Sequence, residues 1–256
     1  MATMAKPRQF TIIKPSKTKE FFALMEKHTA TADYWKTCSE SAAGISRNAM
    51  DRIKKLLGMR KMSSFIYVEL EESKVSPSVL KAFDCYHPDF NDFLANDALK
   101  FSADGMGVTY VLVDEEEFYN HNISVIFAFA TLQAMSLYFH QNHSPDLFDL
   151  PCAEIKYFAI AGTLQKVLAY DMGGFKYYST VFFEYLLMKL YEISTRVMGF
   201  QAIFLRANDN GRKLYKRKRF ADASDYIIPY TDDDPLAKCT PMILSISDHL
   251  YDIFGI

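Results

Sequence analysis

Apolar residues recur along this chain with two periods, and each change of period marks a new element. Residues 16–28 (SKTKEFFALMEKH) and 48–61 (NAMDRIKKLLGMRK) carry them at helical spacing, with Ser16 placed to cap the first helix and Gly58 near the end of the second. Residues 63–73 (SSFIYVELEES) alternate apolar with polar, as a half-buried strand does. A helix is then expected to begin near Asp89, with Phe90, Phe93, Leu94 and Leu99 on one side and Gly105 and Gly107 at its end. VTYVLV (108–113) and ISVIFAFATLQAM (123–135) read as two strands that pair as a hairpin across the acidic turn at residues 115–117.

The second half starts with a strand, AEIKYFAI (153–160), followed by an irregular linker. A helix opens at Ser179, with Ser179 or Thr180 as cap; Phe183, Leu186, Leu187, Leu190, Ile193 and Val197 form its apolar stripe and Gly199 ends it. Strand QAIFLRA (201–207) and a short helix bearing Tyr215 follow, and residues 225–246 supply two last strands around the acidic turn at 232–234. The order predicts an α/β protein: a helical N-terminal extension over residues 1–62, and one domain over 63–256.

Composition narrows the picture. Of 256 residues half are apolar and only 10 are glycine, which supports an ample core. A formal charge of −2 argues against a surface built throughout for nucleic acid. Cys38, Cys85, Cys152 and Cys239 lack CxxC or metal-ligand spacing and read as free thiols, so no metal site is expected. With no apolar leader and no long uninterrupted apolar run, a soluble, cytoplasmic protein without membrane contact is expected. Six of the eight residues 212–219 are basic, a local concentration suited to a phosphate, RNA or an acidic protein, or to plain solvation.

Strand, helix start, strand and a short helix with the run Leu214-Tyr215-Lys216-Arg217-Lys218-Arg219-Phe220 resembles the core of the GNAT superfamily of acyl-CoA N-acyltransferases. Phe83-Asp84-Cys85, followed by Phe90 to Ala98, is similar to the opening of a bacterial subgroup of that family. The resemblance covers roughly residues 64–247 and implies a mixed, mostly antiparallel sheet flanked by helices. It also implies acetyl-CoA as acyl donor and an amine as acceptor. In such proteins the strand matching 153–160 splays from its neighbour, so the backbone of Tyr157, Phe158, Ala159 and Ile160 would face the pantetheine and supply an oxyanion donor. Its early carboxylate, here Glu154, sometimes acts as base. Asn208 matches a position beside the pantetheine arm, and Tyr215 matches the general acid of the pattern FYxxxGF, whose glycine is here Arg219. A phenol of pKa about 10 keeps its proton at neutral pH, yet can donate to a thiolate.

The family's glycine-rich phosphate loop is altered. Gln165 stands where its Gln or Arg belongs, but Lys166, Val167, Leu168 and Ala169 follow without a glycine. Gly173, Gly174, Lys176, Tyr178, Ser179 and Thr180 provide an alternative cradle at the start of the next helix, where N–H groups, dipole and a lysine favour an anion. Two functional classes follow: a working N-acetyltransferase, or a GNAT-fold interaction module that no longer admits CoA. The acceptor is unspecified; RNA or tRNA rests on residues 212–219 and on a loose resemblance to toxin-type acetyltransferases, and a homodimer stays open.

Overall fold

The computed structural model describes residues 11–43, 64–140, 146–171, 174–228 and 238–246. The helix expected over 48–61, the acidic turn at 232–234 and Gly173 lie outside these residues. In chain order the elements are β1 (Thr11–Ile12), α1 (Thr18–Lys27), α2 (Ala32–Ala43), β2 (Phe65–Glu69), α3 (Leu70–Ser73) and α4 (Pro77–Ala82). Next comes α5, built of Pro88–Asp92, a π-turn Phe93–Asp97 and Ala98–Ala103, then β3 (Val108–Asp114), α6 (Glu115–Tyr119), β4 (Ala128–His140) and β5 (Leu147–Ile160). The remainder comprises β6 (Leu168–Asp171), β7 (Gly174–Tyr177), α7 (Tyr178–Arg196), β8 (Ala202–Ala207), α8 (Asp209–Arg217), β9 (Ala221–Asp222) and β10 (Thr240–Ser245). This is a mixed α/β fold with a mostly antiparallel sheet flanked by helices.

The chain forms two compact units, Met1–Thr31 with Ala134–Glu154 and Gly199–Ile256, and Ala32–Gln133 with Ile155–Met198. Strands β4 and β5 each give a segment to both. In the first unit the strand order is β4-β5-β8-β10-β9. β10 runs antiparallel to β8 from Thr240↔Ala207 to Ser245↔Ala202, and β1 lies parallel to β4. Phe21, Phe22 and Met25 of α1 are fully buried in a core with Leu137, Phe139, Phe204 and Ile243. The N-terminal segment is therefore not a separate extension ending at residue 62. Its first helix completes the core of one unit, and α2 belongs to the other, because each presents an apolar face that only those strands and helices cover.

In the second unit β2, β3 and β4 form an antiparallel ladder, Phe65↔Asp114 to Glu69↔Tyr110 and Val108↔Leu132 to Leu112↔Ala128. Helix α7 packs through Phe182 on Phe65, ring centroids 5.0 Å apart, and the buried Tyr67 hydroxyl donates to the Phe182 carbonyl at 3.2 Å. Trp35 of α2 stacks on Tyr191 of α7 at 4.6 Å.

Three local expectations change. Leu99 is 48% exposed, while Ala98 is buried, because Ala98 lies four residues after buried Leu94 and shares its face. Val197 caps the end of α7 and is 77% exposed, so the stripe stops before it. Residues 115–117 start the short helix α6, whose Glu117 N–H is capped by Asp114 at 3.1 Å.

Candidate active site

Tyr215 owes its position to the ends of α8. At the start, the Asn208 side chain accepts from the Gly211 N–H at 2.9 Å, so the exposed residue expected beside the pantetheine arm serves here as the N-cap. One turn below Tyr215 stands Gly211; a Cβ there would come within 2.7 Å of Tyr215 Cε2, so only glycine lets the ring lie against the helix. At the other end, Arg219 N–H donates to Lys216 O and Phe220 N–H to Tyr215 O, both at 3.1 Å, while Arg219 takes φ +64. These two bonds and the Phe220–Tyr215 ring contact at 6.1 Å form a Schellman motif. Arg219 thus occupies the left-handed position that the family pattern gives to glycine, and the apparent departure in sequence is no departure in backbone. His28 Nδ1 donates to the Arg219 carbonyl at 2.8 Å and ties α1 to this turn. Tyr215 is 9% exposed, and burial pushes its phenol well above the usual value. It is an acid that keeps its proton through the whole neutral range.

Glu154 lies in the same unit and is buried, with its Oε1 3.5 Å from the Arg206 guanidinium on β8. Glu154 does not stand early in its strand, because β5 begins at Leu147 and Glu154 falls in its middle. Acting directly as a base would require it to leave this ion pair. Nothing in the spacing of Glu154 and Arg206 signals their pairing; strand adjacency alone creates it.

The second unit holds the remaining residues. At the C-terminal end of β5, Tyr157 packs against Phe93 at 4.2 Å and Phe90 at 5.3 Å, Phe158 against Phe183 at 5.1 Å, and Ala159 and Ile160 are buried. Gln165 Nε2 donates to Ile160 O at 3.2 Å and Cys85 O at 2.9 Å, so the residue at the family's Gln position ties the strand end down.

The linker is not irregular. β6 and β7 form an antiparallel hairpin, Leu168↔Tyr177 to Asp171↔Gly174, and Tyr178 N–H then donates to Val167 O at 3.1 Å. Residues 168–177 are therefore an inserted hairpin with adjacent ends, and its removal would join Val167 to the helix start.

This geometry corrects several expected anion ligands. Gly174 is a strand residue at the far end of the hairpin, away from the helix start. The Lys176 ammonium lies 3.4 Å from the fully buried Glu184 carboxylate and also donates to Ser41 Oγ, so its charge is committed within the protein. The Tyr178 ring is fully buried on Phe182 at 5.6 Å. Ser179 and Thr180 are not caps: the N-cap is Tyr177, without a side-chain bond, and they fall inside the first turn, half-buried, with no acidic residue beside them. The hairpin escaped notice because its strands are four residues each and its purpose is tertiary. Among the described residues no group of three or more His, Cys, Asp or Glu side chains could hold a metal ion, and no helix is long and apolar enough to cross a membrane.

The fold is that of the GNAT acyltransferases. The crystal structure of a bacterial toxin aligns with a TM-score of 0.51 at 17% identity, over 74% of this chain and 94% of that one. A tyrosine-to-phenylalanine mutant of the AtaT toxin, bound to the C-terminus of the antitoxin AtaR and acetyl-CoA, aligns with a TM-score of 0.50 at 15% identity, over 76% of this chain and all of that one. At these identities the likeness is one of fold. No family model matches the sequence, and no curated protein matches it.

Proposed function

We propose that this chain is an N-acetyltransferase that moves the acetyl group of acetyl-CoA to an amine by direct attack. The observation that carries the reading is Tyr215, a buried phenol on a helix fixed by the Asn208 cap, Gly211 and the Schellman turn at Arg219. A neutral amine attacks the thioester carbonyl, and a backbone N–H stabilises the oxyanion. The carbon–sulfur bond breaks, sulfur leaves with the electron pair, and Tyr215 gives it a proton. Burial raises the basicity of the departing thiolate as well as that of the phenolate, so the transfer stays balanced in energy. The amine loses its proton to water, Glu154 remains paired with Arg206, and the phenolate is reprotonated from solvent. The acceptor is an amine of unspecified class, and free thiols fit a reducing, cytoplasmic setting.

A second reading, a non-catalytic module on the same fold, is favoured by the Lys176–Glu184 pair and by the Tyr178 N–H spent on Val167. Thermal melts with acetyl-CoA separate the two. Ligand at 100 times its dissociation constant stabilises by about 2.7 kcal/mol. No shift with acetyl-CoA or CoA rejects the enzyme reading. If binding occurs, Tyr215→Phe is expected to cut turnover by roughly 10²–10⁴-fold, with the shift retained; unchanged turnover removes Tyr215 from the mechanism.

A further inference from the structure

The turn that closes α8 depends on a bond from outside it. The Tyr215 carbonyl accepts from the Lys218 N–H at 2.9 Å and from the Phe220 N–H at 3.1 Å. That Phe220 N–H and the Arg219 carbonyl are the two ends of one planar peptide group, and the carbonyl end accepts from His28 Nδ1 at 2.8 Å. A carbonyl oxygen only accepts, so Nδ1 carries a ring proton. One rigid plane thus links His28 to the backbone of Tyr215. The residue before the plane is Arg219, at a φ of +64 that side chains rarely adopt. Such a state persists only where its surroundings over-determine it, and rotating the plane would carry the Phe220 N–H away from Tyr215. His28 itself has little freedom. Its N–H donates to Leu24 O at 3.2 Å and to Met25 O at 3.0 Å at the end of α1, and two residues on, the Ala30 N–H donates to Ser245 O of β10 at 2.8 Å. Phe21, Phe22 and Met25 of α1 share one core with Ala221 and Ala223, just beyond the turn. His28 is therefore anchored on both sides, and it stands in the N-terminal segment, outside the stretch 64–247 that resembles the acyltransferase family.

We infer that His28 is a positioning residue for Tyr215: by holding the Arg219–Phe220 peptide plane it fixes the last turn of α8, and with it the place from which the phenol donates to sulfur. This rests on the acetyltransferase reading and deepens it. The His28 bond goes to backbone, so it reaches the reaction through the placement of Tyr215 and not by moving a proton itself. Placement matters because a general acid works only within hydrogen-bond reach of the leaving atom.

Two variants of the full chain separate the bond from the ring. His28→Phe keeps a ring of similar size and removes the donor, whereas His28→Asn loses the ring and keeps a donor nitrogen at the same number of bonds from the backbone. Arg219 is exposed, so water can take up its carbonyl and both variants should fold. The first readout is amide exchange of the Phe220 N–H by NMR, which needs no substrate: it should quicken by roughly tenfold in His28→Phe and stay near the wild type in His28→Asn. The second is release of CoA thiol from acetyl-CoA with water as acceptor. A misplacement on the order of 1 Å costs up to about 10²-fold, so kcat should fall by roughly 10- to 100-fold in His28→Phe, with KM for acetyl-CoA unchanged and kcat restored in His28→Asn. On a Tyr215→Phe background His28→Phe should cost nothing further, because there is no acid left to place. Phe220 exchange or kcat that ignores His28→Phe overturns the inference while leaving the acetyltransferase reading intact. So does a loss of kcat that recurs in full on the Tyr215→Phe background, or one that His28→Asn shares, since either makes His28 a merely structural residue. Failure of the acetyltransferase reading shows differently, as a wild type whose melt ignores acetyl-CoA and CoA, and it overturns both.

Discussion

Replacing Arg219 by glycine should make this protein more stable. Arg219 is exposed and sits at φ +64 as the residue that closes the turn after α8. A side chain there costs about 1–2 kcal/mol against the preceding carbonyl, and glycine avoids it. Glycine in turn loses about 0.5–1 kcal/mol through the greater freedom of the unfolded chain. The difference is a net gain of about 0.7 kcal/mol. For a chain of this size each kcal/mol moves the melting temperature by about 2–4 °C, so a rise of about 2 °C is expected. The two backbone bonds of the motif and the one from His28 to the Arg219 carbonyl involve no Arg219 side-chain atom and survive the change. Arg219→Ala is the control, since it removes the same charge but keeps the left-handed strain, and it should melt within about 1 °C of the wild type. The measurement is a denaturant or thermal melt of the three proteins in one buffer. Equal melting of the glycine and alanine variants would show that the backbone state at Arg219 carries no strain.

Gly211→Ala should destabilise by about 1–2 kcal/mol, although helix propensity favours alanine, because its Cβ meets the buried Tyr215 ring at 2.7 Å; a melt with a gain would place the ring elsewhere. Lys176→Met should cost about 2 kcal/mol, since it leaves the fully buried Glu184 carboxylate without its ammonium, and Lys176→Met with Glu184→Gln should recover most of it; an unchanged melting temperature in the single variant would show the pair to be idle. Burial raises the phenols of Tyr67, Tyr110 and Tyr215, and pushes that of Tyr185 up to about 12. Because folded pKa values are raised, their contribution is complete below the unfolded value of about 10 and is lost as pH rises above it. Denaturation midpoints should therefore fall on the alkaline side of about pH 10, in step with the tyrosinate absorbance, and midpoints flat across that range would contradict the burial of these rings.

Much of the fold was legible because its elements are local. Alternation marked β2, a run of β-forming residues marked β3, the stripe Phe183, Leu186, Leu187 and Leu190 marked α7, and the order of strands and helices pointed to the GNAT arrangement. The candidate acid was legible through its neighbours in sequence, Leu214 to Phe220. Its anion ligands were not. Lys176 looked free to meet a phosphate because Glu184, the buried carboxylate that holds it, is a residue of another element. Glu154 looked available as a base because Arg206, some fifty positions later, is brought to it only by strand pairing.

Sequence by itself determined the longer strands and helices, among them β2, β3, α1, α7 and β8, that a core of this size exists, and that Tyr215 rides a short helix after a strand. Periodicity and capping are short-range, so they survive without knowledge of the fold. Tertiary structure alone decided that α1 completes a core, that residues 168–177 form a hairpin, that Arg219 takes a glycine-like backbone, and which charges are spent on internal pairs. Those outcomes depend on contacts between distant residues, where a few kcal/mol of burial and pairing override what each position prefers on its own.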